Sequence, residues 1–198
     1  MGLLAMVIAY LLGGIPFGFL LVKFTKGADV RESGSGNIGA TNVLRTTGRA
    51  AGVATLLLDI AKGYLAVWLA AALTGDAPEW TSLAALAVMA GHAYPVFLKF
   101  QGGKAVATFV GAFAYLTPIP LAAVLLLFVA VVTVTRYISA ASILAAVTFP
   151  FGVWIILHPP VQVTAAAFIA GAFIVYRHKS NWGRLRAGTE NRFSWGGQ

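Results

Sequence analysis

The chain has 198 residues, of which 59% are hydrophobic and only 10% charged, where an average soluble domain carries roughly 25% charged residues; its mean hydropathy is +0.84. This composition excludes a soluble globular protein and leaves no length for a separate extramembrane domain. At about 20 residues per helical span, it predicts one all-α polytopic membrane domain over residues 1–198 with some seven transmembrane helices. A net charge of +8 would suggest nucleic acid in a soluble protein, but here Lys and Arg cluster in links beside apolar runs, where orientation and anionic substrates account for them. No nucleic-acid partner is expected, and the absence of cysteine excludes disulfides and cysteine-bound metals.

Leu3 to Phe24 is apolar but carries Gly13, Gly14, Pro16 and Gly18, which predicts a first span kinked at Pro16. It has neither a basic leading region nor a small-residue cleavage site, so it reads as a retained helix. Lys23, Lys26 and Arg31 follow it, which places this end in the cytoplasm and the N-terminus outside.

The rest of the chain is organised around the next stretch, Ser33 to Arg45, SGSGNIGATNVLR. Gly34, Gly36 and Gly39 allow bends and close backbone approach, while Ser35, Asn37, Thr41 and Asn42 add neutral hydrogen-bonding groups. A loop of this kind presents successive backbone N–H groups as an anion-binding nest, with Arg45 and Arg49 supplying full charges further on. A solvated turn between helices is the plainer reading. The stretch exceeds the usual connection length, however, and a short membrane protein has few polar residues to spare.

Ala50 to Leu73 predicts the second span. Asp59 and Lys62 lie three residues apart within it, a spacing at which they neutralise each other as a structural pair. The link TGDAPEW has two acids, no base and a tryptophan suited to the outer interface. Thr81 to Phe100 holds the third span, which ends in GHAYPVFLKFQGGK, Gly91 to Lys104. Gly102, Gly103 and Lys104 precede a new apolar run, so backbone donors and an ammonium meet at a helix start, where an anion is favoured. This is not a Walker A loop, because Leu98 stands where a glycine is required and Ala105 where Ser or Thr is. His92 lies within a turn or two of the loop, and both a structural role and a role as base are open to it.

Ala105 to Thr135 is too long for one crossing, and Pro118 and Pro120 divide it into two short spans with an outer turn. Arg136 marks an inner link, Ile138 to Leu157 a sixth span, His158, Pro159 and Pro160 an outer turn, and Val161 to Tyr176 a seventh. His158 is therefore on the face opposite the polar clusters and receives no catalytic role. Arg177 onward is a cytoplasmic tail, RHKSNWGRLRAGTENRF, in which His178, Asn181, Arg184 and Leu185 share one face if the last helix continues. A five-span map that fuses or discards the short helices is the topological alternative. Three polar clusters, each with glycine and all on one membrane face, argue for one composite site.

GSGNIGATNVLRxxG with a later DIAKG, then GHxxPVFLKFxGGKxVAT, then HxxNxxRLxxGxE together resemble the bacterial acyl-phosphate:glycerol-3-phosphate acyltransferases, membrane enzymes that begin phospholipid synthesis. The resemblance covers almost the whole chain and departs at Ala105, where the family pattern has glycine. It implies a seven-helix fold in the bacterial inner membrane, with a cytoplasmic active site. The implied reaction moves a fatty acyl group from acyl phosphate to the 1-hydroxyl of glycerol 3-phosphate, giving lysophosphatidate and phosphate. Its partners are glycerol 3-phosphate, long-chain acyl phosphate and membrane lipid, with no metal and no cofactor. By the same resemblance, Ser35, Arg45, His178 and Asn181 lie at the reacting groups, and Gly102, Gly103 and Lys104 belong to the glycerol phosphate site. Gly34, Gly36, Asn37, Gly39, Thr41, Asn42 and His92 contribute to phosphate binding. Asp59, Lys62, Arg184 and Glu190 support the structure, Glu190 by tying the tail to a basic residue.

Such chemistry agrees with the composition. Both substrates are phosphates and one has a long alkyl chain, so the site needs anion donors beside an apolar groove. An acyl phosphate already carries a good leaving group, and the sequence has no evident Ser-His-Asp arrangement. Nor has it the HxxxxD pair of other glycerol phosphate acyltransferases, since Phe97 and Gly183 stand five residues after His92 and His178. Positioning and charge stabilisation therefore fall to the protein, and the base is one of His178, His92 or a substrate phosphate oxygen. The rival from another class is a small transporter of a phosphate-bearing anion. It fits less well, because alternating access calls for a midplane site and often for internal repeats, which the sequence lacks.

Overall fold

The computed structural model describes residues 1–194; the last four residues of the expected 1–198 domain lie outside the described residues. The helices in chain order are α1 (Gly2–Gly14), α2 (Phe17–Lys26), α3 (Ala40–Thr47), α4 (Arg49–Thr74), α5 (Pro78–Ala93), α6 (Val106–Leu116), α7 (Pro118–Thr135), α8 (Ile138–Leu157), α9 (Val161–Arg177) and α10 (Lys179–Arg186). Short 3-10 turns at Val30–Glu32 and Val96–Leu98 interrupt the two polar loops.

Proline sets several of these boundaries. Ile15, before Pro16, takes the extended conformation that a following proline imposes, so the kink expected in the first span is a clean break between α1 and α2. Pro78 and Pro118 occupy the first turns of α5 and α7, where a missing N–H costs nothing. Among the described residues, five segments are long and apolar enough to cross a membrane: Gly2–Lys26 taken across its break, α4, the stretch Pro78–Leu98, α7 and α8. The α9–α10 pair makes a sixth if its bend of 55° is counted within one span, and α6, with 11 residues, is apolar but short. The condition under which His178, Asn181, Arg184 and Leu185 share one face, a last helix that continues, is met only across that bend, which falls at His178.

Small residues bring the helices together. α1 packs on α5 and α4, α4 on α6, and α7, α8 and α9 lie side by side with α9 returning to α5. At the α4–α6 crossing a methyl group on Gly63 would strike the carbonyl of Thr108, and one on Gly111 would strike that of Ile60. Backbones meet this closely in membranes because dispersion and complementarity replace the hydrophobic effect between helices. Phe109, Phe113 and Phe149 fill the centre, with ring centroids 4.8 to 4.9 Å apart. Leu, Ile, Val and Trp side chains cover the outward surface, as lipid requires of a multi-pass protein.

Candidate active site

The three polar clusters meet at one end of the bundle, around a cavity of about 470 Å³. Ser35, Asn37, Thr41 and Arg45 line it from the first cluster, Lys104 from the second, and His178, Asn181, Arg184 and Glu190 from the third. Asp59 and His92 belong to its floor. Val106, Val110, Leu125, Phe128 and Val129, from α6 and α7, form an apolar wall on the other side. A smaller polar recess of about 240 Å³ adjoins it across Ser35, Asn37, Lys104 and Arg184, and adds Tyr176, Arg177, Lys179 and Ser180.

The first cluster is only partly a loop, since the chain turns helical at Ala40 and Thr41, Asn42 and Arg45 stand on α3. Asn42, with the backbone around it, is the knot of this segment. Its Oδ1 accepts from the Ser35 N–H at 2.8 Å, while its Nδ2 faces the carbonyls of Val30, Ser33 and Asn37 at 3.1, 3.0 and 2.8 Å. Asn37 Oδ1 accepts from the Gly39 N–H at 2.8 Å, and the Gly36 N–H donates to the Ser33 carbonyl at 3.1 Å. Three N–H groups, those of Ser35, Gly36 and Gly39, are thus spent inside the loop, which narrows the nest expected here to the remaining ones. The loop also offers a ligand its outward side chains. Gly34 has φ of 61°, and a methyl group there would strike Asn42 Oδ1, so glycine is needed on both counts.

In the second cluster, too, one backbone donor is already committed. The Gly103 N–H donates to the His92 carbonyl at 3.0 Å and is not free for a phosphate. Gly102 and Gly103 turn their carbonyls to Arg177, whose Nε and Nη2 donate to Gly103 O at 3.1 and 2.8 Å and whose Nη2 donates to Gly102 O at 3.2 Å. Lys104 alone of the three lines the cavity, immediately before α6. Burial lowers its pKa to about 8, and the nearby guanidinium groups of Arg184, Arg177 and Arg45 act in the same sense against the opposing charge of Glu190. A dianion in the cavity relieves that stress.

The third cluster sits at the α9–α10 bend. His178 Nδ1 lies 2.8 Å from the Ile174 carbonyl, an acceptor only, so Nδ1 carries the proton and Nε2 is left with its lone pair. Asn181 donates to Glu190 Oε1 at 2.7 Å, Arg184 Nε to Glu190 Oε2 at 2.7 Å, and Ser139 Oγ to Oε1 at 3.0 Å. Burial works to raise the Glu190 pKa, but these three donors outweigh it and hold the carboxyl below its ordinary value. Asn181 Oδ1 is buried without a protein hydrogen bond among the described residues, an acceptor open to a ligand hydroxyl. Asp59 and Lys62 form the expected ion pair at 2.8 Å, in a geometry too bent to count as a hydrogen bond. The pair extends to His92, whose Nδ1 is 3.0 Å from Lys62 Nζ.

Further contributors carry no motif signal. Ser139 and Ser142 line the cavity from α8, and two hydroxyls one turn apart in an apolar run are the trace they leave in the sequence. Arg177 looks like an orientation charge at a span end, and only the fold brings it to Gly102. Asn191 and Phe193 cross the cavity rim, where the Phe193 N–H donates to the Arg136 carbonyl at 2.6 Å and Arg136 Nε to the Phe193 carbonyl at 3.1 Å.

Fold and site together define a helical integral membrane protein whose polar cavity, set beside hydrocarbon, suits an amphiphile with an anionic head. Residues 3–188 match the family model for glycerol-3-phosphate acyltransferase, and the chain belongs to that family. The glycerol-3-phosphate acyltransferase of Desulforamulus reducens is 48% identical over 187 residues, covering 92% of this chain and 90% of the relative. That of Geobacter sulfurreducens is 46% identical over 191 residues, covering 96% and 97%. Among solved structures, the integral membrane glycerol 3-phosphate acyltransferase PlsY (YgiH) in its glycerol 3-phosphate form matches with a TM-score of 0.91 and 39% identity, covering 98% of this chain and 96% of that one. Its lysophosphatidic acid form matches with a TM-score of 0.89 and 38% identity over the same shares.

Proposed function

We propose that this protein transfers a fatty acyl group from acyl phosphate to the 1-hydroxyl of sn-glycerol 3-phosphate, giving lysophosphatidate and phosphate, the first step of phospholipid synthesis. The observation that carries this reading is the division of one cavity into a side bearing Arg45, Lys104 and Arg184 and a side made of α6 and α7 hydrocarbon. That division matches two phosphate-bearing substrates, one of which keeps its chain in lipid.

The hydroxyl oxygen of glycerol 3-phosphate attacks the acyl carbonyl carbon. The bond from that carbon to the bridging phosphate oxygen breaks, and phosphate leaves with the electron pair. His178 Nε2 accepts the proton of the attacking hydroxyl and passes it to the departing phosphate, while Asn181 Oδ1 accepts from the neighbouring 2-hydroxyl and so orients the glycerol. His92 drops out as base, because its Nδ1 is engaged by Lys62. Ser35 and Arg45 hold the acyl phosphate, and Lys104 the glycerol phosphate, so that catalysis rests on orientation and on charge set in advance.

The seven-span map places the N-terminus outside, the C-terminus and the site in the cytoplasm, and the protein as a single domain in the bacterial inner membrane. It is supported by the absence of Lys and Arg from the outer links TGDAPEW, Thr117 to Pro120 and His158 to Pro160. On this map α6 crosses as a short span beside α4. A C-terminal reporter active only outside the membrane would overturn it.

The decisive assay supplies purified protein with glycerol 3-phosphate and a long-chain acyl phosphate and measures lysophosphatidate. Product should form with acyl phosphate and not with acyl-CoA. His178→Ala should lower kcat by roughly 10²-fold with a smaller change in KM. A His178→Ala enzyme with near-normal kcat would move the proton to a substrate phosphate oxygen.

A further inference from the structure

Three titratable side chains lie beneath the cavity and take no part in the chemistry above. Lys62 Nζ donates to the Ile15 carbonyl at 2.8 Å, at the break between α1 and α2, and stands 2.8 Å from Asp59 Oδ1 and 3.0 Å from His92 Nδ1. All three side chains are at most 4% exposed. One cation and one anion cancel, so the cluster is tolerable in a bilayer protein, but apolar residues of similar volume would serve stability as well or better. Its geometry is the more informative property.

His92 reaches the edge of the cavity, but its contacts within the protein fall on Lys62 and on the second glycine loop. An ammonium only donates, so Nδ1 accepts from Lys62 and the ring proton is on Nε2. The His92 carbonyl receives the Gly103 N–H. The imidazole lies where a Gly103 side chain would be, since a methyl group there would strike Nε2, and a methyl group on Gly102 would strike the His92 carbonyl. Arg177 grips the same two glycines from the opposite side through their carbonyls. The loop is thus clamped between His92 and Arg177, and the next residue along it is Lys104.

We propose that His92, locked in place by Lys62 and Asp59, is a positioning residue whose ring sets where Lys104 stands in the cavity. The inference rests on the acyltransferase reading only in naming the anion that Lys104 holds as glycerol 3-phosphate. The Asp59–Lys62 pair then has a role beyond mutual neutralisation: it fixes the ring angle, and through Ile15 it ties that angle to the α1–α2 break.

The test is a size exchange at the contact, read by calorimetric titration of glycerol 3-phosphate into the full-length protein in detergent. Gly103→Ala should drive the loop off the ring and weaken binding by roughly 10- to 10²-fold, the loss expected when a charge-assisted hydrogen bond is broken. His92→Ala makes room, so Gly103→Ala combined with His92→Ala should bind more tightly than Gly103→Ala alone by about fivefold or more, a coupling expected of residues in contact. A double variant no better than Gly103→Ala would overturn the proposal. Should Gly103→Ala fail to fold by thermal melting, the cycle between His92→Gln and Lys104→Ala decides. The His92→Gln penalty should shrink to within about twofold once Lys104 is gone, and a penalty undiminished in the Lys104→Ala background would show that His92 acts by some other route. Lysophosphatidate formation by the wild-type sample reads the acyltransferase assignment separately, so normal glycerol 3-phosphate binding without product would sink that assignment and leave the titration cycle valid.

Discussion

The two glycine-rich segments that face each other across the cavity look alike in sequence but are held in opposite ways. The first, Ser33 to Gly39, is knotted from within its own neighbourhood: one amide side chain on the helix that follows, Asn42, takes the Ser35 N–H and three carbonyls. The second, Lys99 to Ala105, is held from outside, by His92 at the end of α5 and by Arg177 at the end of α9. A loop tied locally keeps its shape while the bundle around it breathes. A loop clamped between two helices reports how those helices sit. In both cases glycine density marks close approach of other groups, and part of the backbone N–H set is spent on those contacts before any ligand arrives.

That contrast predicts the largest effect at Asn42. Asn42→Ala removes the donor shared by the carbonyls of Val30, Ser33 and Asn37 and the acceptor of the Ser35 N–H. Val30 and Ser33 keep backbone donors, so the cost falls on the Asn37 carbonyl and the Ser35 N–H, at about 1–3 kcal/mol for each group left unsatisfied out of water. Turnover should fall by roughly 10³-fold, and the melting temperature should drop sharply. Asn42→Asp should be no better, because a carboxylate set against three carbonyls has nothing to donate. An Asn42→Ala enzyme that melts and turns over like the wild type would mean that the loop is tied elsewhere.

The outer clamp should fail more gently. Arg177→Lys keeps the charge but loses the planar fork that reaches Gly102 and Gly103 together, and should lower kcat/KM for glycerol 3-phosphate by roughly 30-fold, with kcat less affected. Smaller still is the titration of Lys104. The free enzyme needs the ammonium, which is present below its pKa of about 8 and lost above it. Hence kcat/KM should be level up to about pH 7, halve near pH 8 and fall to about a tenth of the plateau at pH 9. Lys104→Arg, whose guanidinium stays charged, should abolish the fall even if it lowers the plateau. A profile in Lys104→Arg that still falls at the same pH would assign the titration to another group.

How far the sequence carries depends on whether a contact is local. Helices were legible because apolar runs and prolines act within one segment: Pro118 starts α7, and α8 runs from Ile138 to Leu157 as its hydropathy indicates. The Asp59–Lys62 pair was legible because helical spacing alone brings the two together. The start of α3 was not, since Ala40 to Thr47 is a short polar helix whose amphipathic signal is masked by the glycines before it. The roles of Arg177 and Asn42 were hidden for a different reason. A basic residue at a span end obeys the orientation rule whatever it touches, and an asparagine in a polar loop looks the same whether it binds a ligand or its own backbone. Which partner each finds is fixed by the crossing of α5, α6 and α9, a tertiary fact.

The smallest expected effect lies at Ala105, where this chain departs from the glycine of the family pattern. Ala105 caps the start of α6 with φ of 61°, in the left-handed region, and is itself almost fully buried. An alanine there costs about 1 kcal/mol of local strain relative to glycine, which adopts that conformation freely. Glycine in turn gains entropy in the unfolded chain, which offsets roughly half of that relief. Ala105→Gly should therefore raise stability by a few tenths of a kcal/mol at most, a change of about one degree or less in melting temperature. The kinetic consequence separates the two loops once more. Because the second loop is clamped by His92 and Arg177, releasing the strain at its end should leave Lys104 where it stands and kcat/KM for glycerol 3-phosphate within about twofold of the wild type. If Ala105→Gly instead weakens glycerol 3-phosphate by tenfold, the methyl group is stiffening the loop, and the clamp alone does not define it.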